Sequence, residues 1–256
     1  AMLSLPIKPL HIEAWKKMID TTKKKNGKQI TIAIVGKYFA TGEYQLRDSY
    51  AALLDAIDHA SWGHNVLTKT RWVNSEKLEK GVLTDLEGVD GIIVPIGWGK
   101  RGVEGKIKAI EFARVNKIPY LGLCYGMQLA VVEYARNVLG YADAHTTECD
   151  ETTKHPVIDT NPGQDENLKR RAYGGTMRLG KWDCKIREGA ISDISYTQSN
   201  GYDHQEKRTI GERHRHRYEF NEAYAKRLEE KGLVIAGRST VENLVEIIEL
   251  SKKDHP

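Results

Sequence analysis

The stretch Leu121-Gly122-Leu123-Cys124-Tyr125-Gly126-Met127-Gln128 decides how this chain is read. One glycine lies two residues before the cysteine and another two residues after it. Upstream, Lys117-Ile118-Pro119 leads into a short strand predicted over Tyr120–Leu123, and Met127–Val138 carries a helical pattern. Gly-x-Cys-x-Gly between strand and helix is the cysteine form of a nucleophile elbow. The nucleophile of such an elbow sits on a sharp, strained turn. A side chain two residues away on either side would crowd the crossing of strand and helix. The sulfur then faces the crevice at the carboxyl end of a parallel sheet, where open α/β folds bind ligands. It also lies at a helix N-terminus, whose partial positive charge favours thiolate over thiol, so a lowered thiol pKa is expected. The alternative is a cysteine that only fills core space.

Working outward, the elements alternate. Trp15–Thr22 reads as a short helix, with Trp15, Met18 and Ile19 on one face, followed by a lysine-rich linker. The apolar run Gln29–Gly36 fits a strand buried on both faces. Asp48 is placed to cap a helix carrying Tyr50, Leu53, Leu54 and Ile57. Strands are predicted at Val66–Val73 and Val89–Pro95, with a helix over Glu104–Asn116. This is the grammar of a doubly wound, mostly parallel sheet with flanking helices. Beyond Val138 glycine-rich turns and short strand candidates take over, at Arg217–Phe220, Leu233–Gly237 and Leu244–Leu250. One helix, Ala223–Lys231, interrupts them and ends at Gly232, a C′ glycine.

Composition narrows the function classes. The 256 residues are 40% apolar and 29% charged, with a net charge of +4, as in an ordinary soluble globular protein. That charge does not predict nucleic acid, and the basic run Lys23-Lys24-Lys25 reads as a solvated linker. Three irregularly spaced cysteines argue against a disulfide framework and fit a reducing, cytoplasmic setting. Cys149 and Cys184 have no partner at metal-ligand spacing, so no metal is expected. Nothing approaches the length of a membrane span.

A second fragment of a site lies in Gly97-Trp98-Gly99-Lys100-Arg101-Gly102. Gly-x-Gly-x-x-Gly invites a dinucleotide reading, but no acidic residue follows about twenty positions on, where Pro119–Leu121 is apolar. An oxyanion loop fits better. It follows a strand that should neighbour the elbow strand, so the N–H of Gly97 could act with that of Tyr125. A turn that needs positive φ is the bland alternative.

These motifs resemble the glutaminase domain of the CTP synthase family, within the class I glutamine amidotransferases. The resemblance rests on Gly122-Leu-Cys-Tyr-Gly-Met-Gln128, Lys100-Arg-Gly-Val-Glu-Gly-Lys106, Gly174-Gly-Thr-Met-Arg-Leu-Gly180 and Glu212-Arg-His-Arg-His-Arg-Tyr-Glu219, and runs from about Leu10 onward. It implies the flavodoxin-like architecture of class I glutaminases. It also implies that Cys124 attacks the carboxamide of glutamine, that Gly97 and Tyr125 supply oxyanion N–H groups, and that Gln128 lines the glutamine pocket. Glu148 is implied to meet the α-ammonium, Arg217 the α-carboxylate, and Arg101 an interface that takes GTP. No cofactor is implied in this domain. The whole family enzyme uses ATP with Mg to activate UTP in an amidoligase domain of the same polypeptide, takes GTP as activator, and forms a homo-oligomer. Residues 1–27 resemble the interdomain-linker helix with its basic linker, and 28–256 the amidotransferase domain. The basic Arg213–Arg217 stretch could pass for a nucleic-acid patch, but the resemblance favours glutamine. A non-catalytic module of the same fold, or another cysteine hydrolase on it, are the alternatives.

Three departures from the family pattern stand out. Ile96 replaces the first glycine of the family's Pro-Gly-Gly-Phe-Gly, and Tyr125 replaces its usual leucine. The family's Gln-Phe-His-Pro-Glu-Phe, with its general-base histidine and orienting glutamate, has no counterpart here. His255-Pro256 aligns with an earlier His-Pro. No catalytic histidine is therefore assigned, and the chain as written is expected to be incomplete for turnover.

Overall fold

The structure is a computed structural model, and it describes residues 12–23, 27–37, 40–41, 44–45, 48–160, 177–198 and 208–256. Leu10, Lys24 and Lys25 of the basic linker, and Gly174-Gly175-Thr176 of the glycine-rich motif lie outside these residues. Helix α1 (Glu13–Thr22) precedes strand β1 (Lys28–Gly36). A minimal hairpin, β2 (Ala40–Thr41) and β3 (Tyr44–Gln45), leads to helix α2 (Ala51–His64). Then come β4 (Val66–Asn74), α3 (Ser75–Glu79), β5 (Gly91–Val94), α4 (Val103–Val115), β6 (Tyr120–Gly122) and α5 (Tyr125–Asn137). Strands β4-β1-β5-β6 form one sheet in that order, every pair parallel.

β1 shows why this sheet is covered on both faces. Ala33 and Val35 join the main core with Val94, Ile107 and Leu129, whereas Ile34 points the other way and packs on Tyr50 and Leu54. Successive side chains of a strand point to opposite faces, so a strand buried on both sides must be apolar throughout. The side chain of Asp48, the expected cap of this helix, lies outside the described residues. Asp48–Tyr50 form a 3-10 turn, and α2 starts only at Ala51, with no side-chain cap from Tyr50. Burial of the Tyr50 ring against Ile34 anchors the helix start.

The second half is built mostly from antiparallel pairs, the short pair β7–β8 being parallel. β7 (His145–Thr146), β8 (Pro156–Thr160) and β11 (Tyr218–Phe220) form a three-stranded sheet. β9 (Arg178–Ile186), β10 (Thr209–His216), β12 (Leu233–Ser239) and β13 (Val245–Leu250) form a four-stranded one in the order β10-β9-β12-β13. Helix α6 (Ile191–Gln198) follows β9. The helix expected over Ala223–Lys231 is divided. Asn221 accepts the Ala223 N–H at 3.1 Å and starts a 3-10 turn over Glu222–Tyr224, after which α7 (Ala225–Glu230) runs on its own. Gly232 then takes φ +103°, as a C′ residue should.

Candidate active site

β6 ends at Gly122 and α5 begins at Tyr125, which leaves Cys124 to make the turn. Its backbone sits at φ 54°, ψ −102°, a conformation that side-chain-bearing residues seldom adopt. Both flanking glycines are forced by close approach. A Cβ on Gly126 would stand 2.1 Å from the Val94 carbonyl oxygen, and one on Gly122 would stand 2.6 Å from the Gly126 carbonyl carbon. The elbow is thus wedged between β5 and the first turn of α5. The Leu123 N–H donates to Val94 O at 3.0 Å and locks the turn to the neighbouring strand.

The thiol is not activated as expected. Burial is the largest influence and pushes the Cys124 thiol up to about 11. The Tyr125 N–H, which donates to the sulfur, and the Lys106 ammonium pull it down, while the carboxyls of Glu148 and Glu219 push it up. The helix N-terminus does favour thiolate, but desolvation of the sulfur outweighs it.

Gly97 follows β5 and stands beside the elbow, as β5–β6 pairing requires. A turn needing positive φ describes Gly99 and Gly102, at +72° and +74°, and not Gly97. Three contacts hold the loop. Lys37 Nζ donates to Trp98 O. The Tyr125 hydroxyl donates to Gly99 O at 2.9 Å, and Glu148 Oε1 accepts the Gly99 N–H at 2.7 Å. Tyr125 Oη also lies 3.0 Å from Cys149 Sγ. With its proton committed to Gly99, the tyrosine oxygen accepts and the thiol donates. Tyr125, a departure from the family pattern, therefore joins the elbow to Cys149.

Gln128 is buried one turn into α5, and its Nε2 donates to Tyr218 O at 2.8 Å, tying α5 to β11. Burial raises the Glu148 carboxyl, while Gly99 N–H, Lys37, Arg217 and Lys106 act against that shift. Arg217 sits at the break between β10 and β11. A cavity of about 770 Å³ opens beside the elbow and is lined by Gly97, Cys124, Gln128, Tyr218, Arg178 and Glu219 among others. Glu148 and Arg217 do not line it. Glu148 instead holds the Gly99 N–H, and the charge of Arg217 acts on it. Arg101 is exposed, 3.4 Å from Glu76.

Lys106 is the site residue that sequence reasoning missed. It lies at the same spacing as Val103, Ile107 and Ile110 on the buried face of α4, so a lysine inside an apolar i, i+3, i+4, i+7 stripe was the available signal. Among the described residues no three His, Cys, Asp or Glu side chains could hold a metal ion, and no helix is long and apolar enough to cross a membrane.

Comparison with known proteins gives one consistent picture. The family model described as "Glutamine amidotransferase class-I" matches residues 45–255. The CTP synthase of Clostridium acetobutylicum is 46% identical over 261 aligned positions, covering 99% of this chain and 45% of the relative. That of Caldanaerobacter subterraneus subsp. tengcongensis is 48% identical over 256, covering 99% and 44%. The chain thus spans less than half the length of the curated relatives it matches. Among solved structures, the Trypanosoma brucei CTPS glutaminase domain with bound acivicin superposes with a TM-score of 0.74 at 35% identity, covering 86% of this chain and 81% of that one. Likeness of that extent in sequence and in fold makes this chain a member of the class I glutamine amidotransferases, as a glutaminase domain of the CTP synthase family.

Proposed function

We propose that the domain hydrolyses glutamine through Cys124 and passes the ammonia to an amidoligase domain of the same polypeptide. The observation that carries this reading is the strained backbone of Cys124, held at the mouth of a cavity with the Tyr125 N–H on its sulfur. The sulfur adds to the side-chain carboxamide, and the N–H groups of Gly97 and Tyr125 receive the tetrahedral oxyanion. The C–N bond breaks, and nitrogen leaves as ammonia with the proton that the thiol gave up. Water then cleaves the thioester to glutamate and restores the thiol. Glu148 would meet the α-ammonium of glutamine, releasing the Gly99 N–H as it does so. Arg217, whose charge already acts on Glu148, would pair with the α-carboxylate, and Gln128 would line the pocket.

The relatives' printed name, CTP synthase, supports CTP formation by the whole protein. The motif resemblance extends the proposal to UTP activated by ATP with Mg in the partner domain, to GTP acting near Arg101, and to a homo-oligomeric whole enzyme. In this reading residues 1–27 link the two domains and 28–256 form the amidotransferase unit. Ile96 and Trp98, 52% and 64% exposed beside the elbow, offer an apolar face for the receiving domain. The three free thiols fit a reducing cytoplasm.

A second reading, a non-catalytic regulatory domain, is favoured by the thiol pushed up to about 11. Treatment with a chloro-isoxazoline glutamine mimic, read by mass spectrometry, tests the first. Cys124 should be labelled, and Cys149 and Cys184, both buried, should be spared. Equal labelling of all three would refute it. Selective labelling without ammonia release from glutamine would favour the regulatory reading.

A further inference from the structure

Lys106 is fully buried, at 0% exposure, and its Nζ has no hydrogen-bond partner. An ammonium out of water without a counter-ion is among the most costly groups a fold can hold. Its neighbours do not relieve it. Nζ lies 5.0 Å from the centre of the Tyr125 ring, a cation–π contact that offsets part of the loss. It lies 2.9 Å from where a Cβ on Gly97 would be. The charged and titratable groups that act on it are Lys37, beyond β1, Cys124 on the elbow, and Glu148 and Cys149 after β7. Lys37 repels it. Glu148 is already committed to the Gly99 N–H. Cys149 donates its proton to Tyr125. The ammonium thus lies beneath Gly97 and Tyr125, the two residues whose N–H groups would cradle an oxyanion.

We propose that Lys106 is a positioning residue of the acyl-transfer site, whose buried ammonium finds its missing partner in the negative charge that forms on the Cys124 sulfur and on the glutamine oxyanion. The oxyanion half rests on the glutaminase reading above, whereas the thiolate half does not. Lys106 does not touch substrate. It acts through its charge from beside Gly97 and the Tyr125 ring, and its unpaired state in the resting protein is what makes the charge-separated state relatively favourable.

The probe is iodoacetamide, which has no likeness to glutamine. Its rate of reaction with Cys124 is measured from pH 6 to 10 in the wild type and in Lys106→Met, with Lys108→Met as the control. Lys108 lies on the same helix but bonds to Glu79 O. At pH 7 the wild type should react about tenfold faster than Lys106→Met, a difference equal to about one unit of thiol pKa. Burial holds Lys106 down to about 8, so its advantage exists only below that pH. The ratio should fall toward one as pH approaches 10, and Lys108→Met should match the wild type throughout. A merely structural role would not produce a ratio that vanishes with the lysine's own titration. A ratio within about twofold of one at pH 7, in a Lys106→Met protein with wild-type circular dichroism, would overturn the proposal. Should that variant not fold, the wild-type profile decides alone. Its logarithmic slope should flatten near pH 8, and an unbroken slope of one to pH 10 would refute the role. Selective labelling by the glutamine mimic without the lysine effect sinks this inference only. The lysine effect without such labelling sinks the glutaminase reading only.

Discussion

Cys124 spends conformational energy at a single residue. Its φ of 54° with ψ of −102° lies where only glycine is comfortable, and such positions cost of order 1–3 kcal/mol. Two substitutions separate the backbone from the thiol. Cys124→Ala removes the sulfur and keeps the strain, whereas Cys124→Gly removes both. Glycine's greater freedom in the unfolded chain returns part of the gain, so Cys124→Gly should be more stable than Cys124→Ala by about 1 kcal/mol. Urea denaturation midpoints at a common slope would show it. Equal stability would mean that the turn is relaxed and that the elbow is held by its glycines alone. Both variants should lose labelling by the glutamine mimic.

At the scale of elements, the elbow is an interlock of β5, β6 and α5, and its tightest point is Gly126 against Val94 O. Gly126→Ala would place its methyl 2.1 Å from that oxygen, so β5 or α5 must shift. The expected loss is about 2–4 kcal/mol, with Cys124 less reactive because the Leu123–Val94 bond is strained as well. Thermal melts and iodoacetamide rates that match the wild type would count against the interlock. This region was legible in sequence because its determinants are local: two glycines around one cysteine, and apolar runs whose length and period separate strand from helix. The strands β9 and β10 were not. Arg178–Ile186 and Thr209–His216 carry their apolar residues sparsely, and Cys184, Ile186 and Ile210 form a small separate core whose logic lies in pairing across the chain. Within β10 the side chains alternate, with Arg213 and Arg215 exposed and His214 and His216 partly buried. Site legibility divides in the same way. Cys124 and Gly97 follow from local motif geometry and Gln128 from the family resemblance alone, whereas the Tyr125–Cys149 contact joins residues on different elements. The raised thiol pKa likewise depends on burial, which no spacing reveals.

Across the whole molecule, one guanidinium of the second half ties three strands together beside the cavity. Arg178 of β9 donates from Nη1 to Glu219 of β11 at 3.3 Å and from Nη2 to Glu246 of β13 at 2.5 Å. His216 Nδ1 lies 3.3 Å from Glu219, and His214 and His216 share a contact of 2.8 Å. Arg178 and Glu219 are both buried. Burial is the larger influence on Glu219 and raises it to about 7 despite Arg178, while burial, then His214 and Arg178, bring His216 down to about 4. Removing the cation leaves two buried carboxyls without their partner, which typically costs 3–5 kcal/mol. Arg178→Met should therefore be about that much less stable than the wild type at pH 7 in urea. The direction with pH follows from linkage. A carboxyl whose folded pKa stands above its unfolded value contributes most below the unfolded value and loses that contribution as pH rises through the folded one. Loss of Arg178 raises Glu219 further and frees His216 to protonate, and both changes favour the variant as protons are added. Its deficit against the wild type should then shrink from pH 7 to pH 5. A deficit that is absent at pH 7, or that grows on acidification, would mean that the network is held by packing and not by the shared guanidinium.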